Sequence, residues 1–111
     1  MSGARYQRKP KELRTWNGRT YDSIKEMQWA MKFHALAKDG KITDLKEQVR
    51  IELTPKKGRV RASYYVADFC WIDPETGEEV WCDCKGHKTQ LYELKKKIIL
   101  WRYEREILEV I

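Results

Sequence analysis

No apolar run in this chain approaches the roughly 20 residues that a membrane-spanning helix needs, and the N-terminus has no apolar segment of the secretory kind. Both absences lead to the expectation of an intracellular, cytoplasmic protein with no membrane partner. Repeats and low-complexity segments are missing too, so one folded unit has to account for the chain. Cysteine is sparse and odd in number, with Cys70, Cys82 and Cys84 alone. Three cannot form a closed disulfide framework. Together with His87 they have the composition of a zinc site, but Cys82 and Cys84 stand two apart in a strand-like run rather than across a turn. Buried reduced thiols are therefore the expectation, with zinc as the alternative.

What the chain does have is charge and aromatic surface. Its 111 residues are 36% charged and 41% hydrophobic, with five Trp and six Tyr, enough for a single core and too little for two. The net charge is +6, which points to a polyanionic partner. Much of the excess sits at the start, where Arg5, Arg8, Lys9, Lys11 and Arg14 outweigh Glu12. Residues 1–20 read as a basic arm, either lying on a phosphate backbone or simply solvated, and residues 21–111 as the domain. Inside the domain Lys56, Lys57, Arg59 and Arg61 form a second basic group and Lys95, Lys96 and Lys97 a third. Their place in ordered segments makes them the better argument for nucleic acid.

Ser23 followed by Glu26 has the form of a capping box, and Ile24, Met27, Ala30, Met31 and His34 recur at helical spacing until Asp39-Gly40. A helix is expected over about Ser23 to Lys38. After a connection at Lys41 to Asp44, Val49, Ile51 and Leu53 alternate with Gln48, Arg50 and Glu52 as a first strand. Thr54 to Gly58 makes a turn, Val60 to Trp71 a second strand, Asp73 to Gly77 a hairpin turn, and Glu79 to Lys85 a third strand. Leu91, Leu94, Ile98 and Trp101 space out a second helix with Lys96 and Lys97 on its outer side, and "EILEVI" ends the chain as a short strand. The order is α-β-β-β-α-β, an α/β domain with a central mixed sheet flanked by helices.

The hairpin brings Asp68 opposite Asp83. Asp68 lies in the apolar run Val66-Ala-Asp-Phe-Cys70, where an unpaired carboxylate is expensive. Two carboxylates at neighbouring strand positions repel unless a cation lies between them, and hard oxygen donors select Mg²⁺, with Mn²⁺ as substitute. Lys85, two residues past Asp83 on the same strand face, adds the positive charge that phosphate chemistry needs. The competing reading is a surface ladder of ion pairs.

These elements together resemble the PD-(D/E)XK nuclease superfamily, and most closely a group of small phage-encoded proteins within it that are catalogued as a domain of unknown function. The matching features are Glu26 on the opening helix, "QVRIEL" from Gln48, "YVADF" from Tyr65, "DCKG" from Asp83 and "YELKKK" from Tyr92. Ala67 stands where the superfamily signature has Pro. The resemblance implies a restriction-endonuclease-like fold and a Mg²⁺-dependent DNA endonuclease, with structure-selective cutting or the resolution of four-way junctions among the activities it suggests, working in the host cytoplasm. Asp68 and Asp83 would bind the metal with the Cys84 backbone carbonyl, Glu26 would complete the site, and Lys85 would be the catalytic lysine. Gln48, Lys56, Lys57, Arg59, His87, Lys88, Lys96 and Lys97 are the expected DNA contacts. A non-cleaving nucleic-acid-binding module on the same fold is the alternative. Small nucleases of this superfamily act as two-fold dimers, and Tyr64, Tyr65, Trp71 and Trp81 supply more aromatic surface than one small core is expected to absorb. A homodimer acting on branched or duplex DNA follows.

Overall fold

The computed structural model describes residues 8–111, so Arg5 of the basic arm lies outside the described residues. The chain forms a small α/β domain with a mixed four-stranded sheet and one helix on each face. Helix α1 (Ile24–Lys38) starts where Ser23 Oγ accepts the Glu26 N–H at 3.0 Å. Gly40, at φ +75°, lies just beyond its end, a backbone state that glycine adopts without steric cost. Strands β3 (Thr43–Thr54), β4 (Ser63–Ile72) and β5 (Glu79–Cys84) form an antiparallel meander. Helix α2 (Gln90–Tyr103) then crosses over, so that β6 (Leu108–Val110) joins β5 in parallel, giving the order β3-β4-β5-β6.

Several expected bounds move. β3 begins at Thr43, inside the expected connection. β4 begins at Ser63 rather than Val60, because Lys57 and Val60 close the turn on each other instead. β5 stops at Cys84, one residue before Lys85. The buried faces of both helices match the expected stripes in part, with Met27, Ala30 and Ile98 packed inward. On α1 the inward residues are Glu26, Ala30 and Phe33, while Met31 is exposed. On α2 they are Tyr92 and Ile99; Leu91, Leu94 and Trp101 form an exposed row, Trp101 at 83%. Any 3–4 spacing picks out some helix face, and here the spacing of Leu and Trp marked the outward one. Among the described residues no helix is long and apolar enough to cross a membrane.

Part of the expected basic arm belongs to the fold. A short 3₁₀ turn (Lys11–Arg14) leads into a small hairpin of β1 (Thr15–Trp16) and β2 (Arg19–Thr20). Trp16 packs edge-on against His34 of α1 at 5.2 Å. Arg14 is buried and donates to the carbonyls of Lys9 (2.9 Å) and Tyr21, so its charge is spent on the backbone.

The sheet turns over at its middle. Leu45 packs in the cluster under α1, yet Val49, Ile51 and Leu53, of the same parity, pack in the cluster under α2. On β4 the same switch separates Tyr65 and Ala67 from Phe69 and Trp71. Strict alternation forbids this, and the residue that permits it is Gln48, at φ +55°, a left-handed state uncommon outside glycine. The crossover therefore falls at Gln48 and, opposite it, Asp68.

Candidate functional site

β4 and β5 pair from Ile72 and Glu79 to Phe69 and Cys82, and then part. The next rung would set Asp68 against Asp83. Instead the Asp68 side chain takes over the role of a backbone acceptor: its Oδ2 accepts the Cys84 N–H at 2.9 Å. β5 continues beside β6, with Lys85 N–H donating to the Val110 carbonyl at 3.0 Å. The sheet is split at this point, and three carboxylates face the split from three elements: Asp68 on β4, Asp83 on β5 and Glu26 on the first turn of α1.

Asp83 is 1% exposed, which rules out the surface-ladder reading for it. Its Oδ2 accepts a hydrogen bond from the Tyr65 hydroxyl and lies 3.5 Å from Lys85 Nζ. Burial first, and then the Asp68 carboxyl, push its pKa up to about 8, against the opposing pull of Tyr65 and Lys85. Glu26 is likewise buried, and burial followed by the charge of Asp68 raises it to about 7. Its backbone N–H is the half of the capping box that forms, and its carboxyl answers to Asp68. Burial, and after it the mutual repulsion of the carboxylates, thus favours the protonated forms of Asp83 and Glu26 near neutrality.

These donors suit a divalent metal in kind and charge, since all are hard oxygens and Mg²⁺ or Mn²⁺ binds such sets. Among the described residues no three of His, Cys, Asp and Glu are already drawn to ligand spacing. Asp68 and Asp83 would exchange the Cys84 amide and the Tyr65 hydroxyl for the ion. Zinc does not fit. Cys70 packs on the α2 side of the sheet and Cys82 on the α1 side, so the two thiols lie on opposite faces and cannot share an ion.

Lys85 Nζ lies 4.8 Å from the centroid of the Tyr92 ring. Tyr92 in turn donates to Glu109 Oε2 at 2.6 Å. Glu109 pairs with Lys96 and Lys88, each at 3.0 Å, and these bonds hold its carboxyl well below the usual range, near 2. Tyr65, Tyr92 and Glu109 are the functional-site residues that pattern reading missed. The signal for Glu109 was available: it is an acid set among Ile107, Leu108, Val110 and Ile111, the same oddity that singled out Asp68.

The other expected contacts divide. Gln48 Nε2 reaches Asp68 Oδ1 at 3.4 Å and belongs to the site. His87 is exposed on the loop after Lys85, beside a cleft of about 590 Å³ that Lys25, Lys85 and Val110 also line. Lys88 and Lys96 are engaged by Glu109, which places Lys96 toward the sheet rather than on the outer side of α2; Lys97 is exposed as expected. Lys56, Lys57 and Arg59 sit at the tip of the β3–β4 hairpin, the first of them eight residues beyond Gln48, or about 26 Å at strand rise, and are not part of the cluster.

No curated protein and no solved structure matches this chain. The family model described as "Protein of unknown function (DUF1064)" matches residues 5–111, from the basic arm through the carboxylate cluster to the last strand. The chain belongs to the DUF1064 family.

Proposed function

We propose that this protein is a metal-dependent DNA endonuclease of the PD-(D/E)XK kind, with a restriction-endonuclease-like core. The observation that carries the reading is the cluster of Glu26, Asp68 and Asp83 at the split between β4 and β5, with the Lys85 ammonium 3.5 Å from Asp83. Burying Glu26 and Asp83 beside the half-buried Asp68, with one lysine, costs stability, and a site for a divalent cation gives that cost a purpose. A bound Mg²⁺ would supply Lewis acidity toward a phosphoryl oxygen and a position where water ionises near neutrality. Asp68 and Asp83 would hold it, joined by Glu26. The amide and carbonyl of one strand residue leave by the same edge, so the Cys84 carbonyl is turned toward the same gap as its N–H.

Lys85 is half-buried, and its ammonium donates to a non-bridging phosphate oxygen, offsetting charge that grows as the phosphodiester is attacked. The Tyr92 ring supports it from below and limits its rotamers. Gln48 orients Asp68. His87 stands next to the phosphate path, and the basic groups outside the cluster hold the backbone.

The partner surface for a two-fold dimer lies elsewhere than the hairpin aromatics. Tyr65, Trp71 and Trp81 are buried in the monomer, and Tyr64 stacks against Arg50. The exposed apolar row on α2, Leu91, Leu94 and Trp101, is the surface left to pair. Lys95 and Lys97 flank it, so pairing strengthens as salt screens them.

The test is cleavage of labelled linear, nicked and four-way DNA with Mg²⁺, Mn²⁺ or EDTA. The reading requires cutting with either metal, none with EDTA, and loss of cutting but not of binding in Asp83→Asn. Binding that is indifferent to metal, chelator and Asp83→Asn, with no cutting, favours the non-cleaving module.

A further inference from the structure

β4 joins two turns of opposite charge. The turn before it, residues 55–62, carries Lys56, Lys57, Arg59 and Arg61 and no acid; the turn after it, residues 73–79, carries Asp73, Glu75, Glu78 and Glu79 and no base. β4 itself spans ten residues, about 30 Å at strand rise, and Asp68 lies near its midpoint. The carboxylate cluster is therefore flanked by a cationic end and an anionic end of the same strand.

The cationic half has a second feature. Beyond the crossover at Gln48 the β3–β4 ribbon buries one face under α2, through Ile51, Leu53, Tyr65 and Ala67. The opposite face contributes to neither core cluster among the described residues. It carries Arg50, whose guanidinium lies 3.9 Å over the Tyr64 ring, Val66, 44% exposed, and Glu52, whose carboxylate is taken up by Arg102 at 2.7 Å. This face runs from the basic tip up to Gln48 and so to Asp68. A phosphate backbone meets attraction along this path and repulsion beyond the cluster.

We infer that the open face of the β3–β4 ribbon is a duplex-docking surface, and that the duplex lies on one side of the scissile phosphate only. The inference rests on the nuclease reading and adds a direction to it. About 26 Å separates Gln48 from Lys56 at the start of the tip, so the tip meets phosphates about eight base pairs from the cut, given two charges per 3.4 Å of duplex. Arg50 and Tyr64 face the groove between. The acidic turn excludes duplex from the other side, so the substrate carries its duplex arm on the ribbon side and ends, branches or bends away at the cut.

Hydroxyl-radical footprinting with the Asp83→Asn protein, on DNA whose cut position the wild type has defined, tests this. Protection is expected to extend about eight base pairs to one side of the cut and to stop there. Replacing Lys56, Lys57, Arg59 and Arg61 together by Glu, all on an exposed turn, should remove the distal protection and lower the slope of log K against log salt by about three to four. Glu75→Lys with Glu78→Lys should extend protection to the other side. A footprint centred on the cut, or a tip variant with the wild-type salt slope, overturns the docking surface while the nuclease reading stands. Wild type that neither binds nor cuts any DNA overturns both. Head-to-tail self-association of tip and acidic turn, abolished by the tip variant with DNA binding intact, overturns the docking surface in favour of a second copy.

Discussion

Replacing Asp83 by Asn perturbs the cluster at its most buried member, and the consequence for stability follows from the direction of its pKa. An unfolded Asp sheds its proton near 3.8, whereas the folded state keeps the Asp83 proton to about 8, chiefly because of burial. Between those values the native state binds the extra proton. Stability from this group is therefore complete below pH 4 and declines as pH rises, by about 1.4 kcal/mol per pH unit, until about pH 8. From pH 5 to pH 8 the loss is on the order of 4 kcal/mol, a large share of the 5–15 kcal/mol typical of a domain. Glu26 adds a loss of the same sign that ends near pH 7. Asn keeps an oxygen for the Tyr65 hydroxyl and has nothing to ionise. In urea denaturation with EDTA at pH 5, 6, 7 and 8, the wild type should lose stability with pH more steeply than Asp83→Asn, by about one proton. The variant should be the more stable protein at pH 8. Adding Mg²⁺ at pH 8 should restore the wild type by mass action and leave the variant nearly unmoved. Parallel stability curves, or an Asn variant weaker at pH 8, would refute the claim that Asp83 is held in a charge-poor site awaiting a cation.

Lys85→Ala should lower cleavage on the order of a hundredfold or more with little change in DNA affinity; Lys85→Arg should recover only part, since a planar guanidinium spreads the charge that the compact ammonium concentrates. Normal cutting by the Ala variant would remove Lys85 from the mechanism. Calcium should support DNA binding without turnover, because its looser coordination positions water poorly, and gel-shift and cleavage assays run side by side check it. Sedimentation at tens of micromolar should show a dimer that Trp101→Glu dissociates and added salt strengthens; a wild-type monomer would remove the two-fold assembly and leave the site untouched.

Much of the site was legible because its residues break local rules. Asp68 is a carboxylate in an apolar strand, Asp83 and Lys85 share a face, and hairpin geometry alone sets the two aspartates opposite each other. The split that makes them useful was not legible. It depends on Gln48 adopting a left-handed backbone and on the Asp68 side chain replacing a ladder acceptor, and neither leaves a mark in hydrophobic periodicity. The helix faces misled for a related reason. On α2 the Leu and Trp row satisfies helical spacing as well as Tyr92 and Ile99 do, and only the sheet's position decides between them. The hairpin aromatics looked surplus because their burial depends on two helices covering both faces of the sheet.

Anomalous diffraction from crystals soaked in Mn²⁺ above pH 8, where both raised carboxyls can ionise, addresses the metal site most directly. A single peak between the Asp68 and Asp83 carboxylates, within reach of Glu26 and absent in Asp83→Asn, is the predicted result. No peak there at millimolar Mn²⁺, or one at the cysteines instead, would contradict the account.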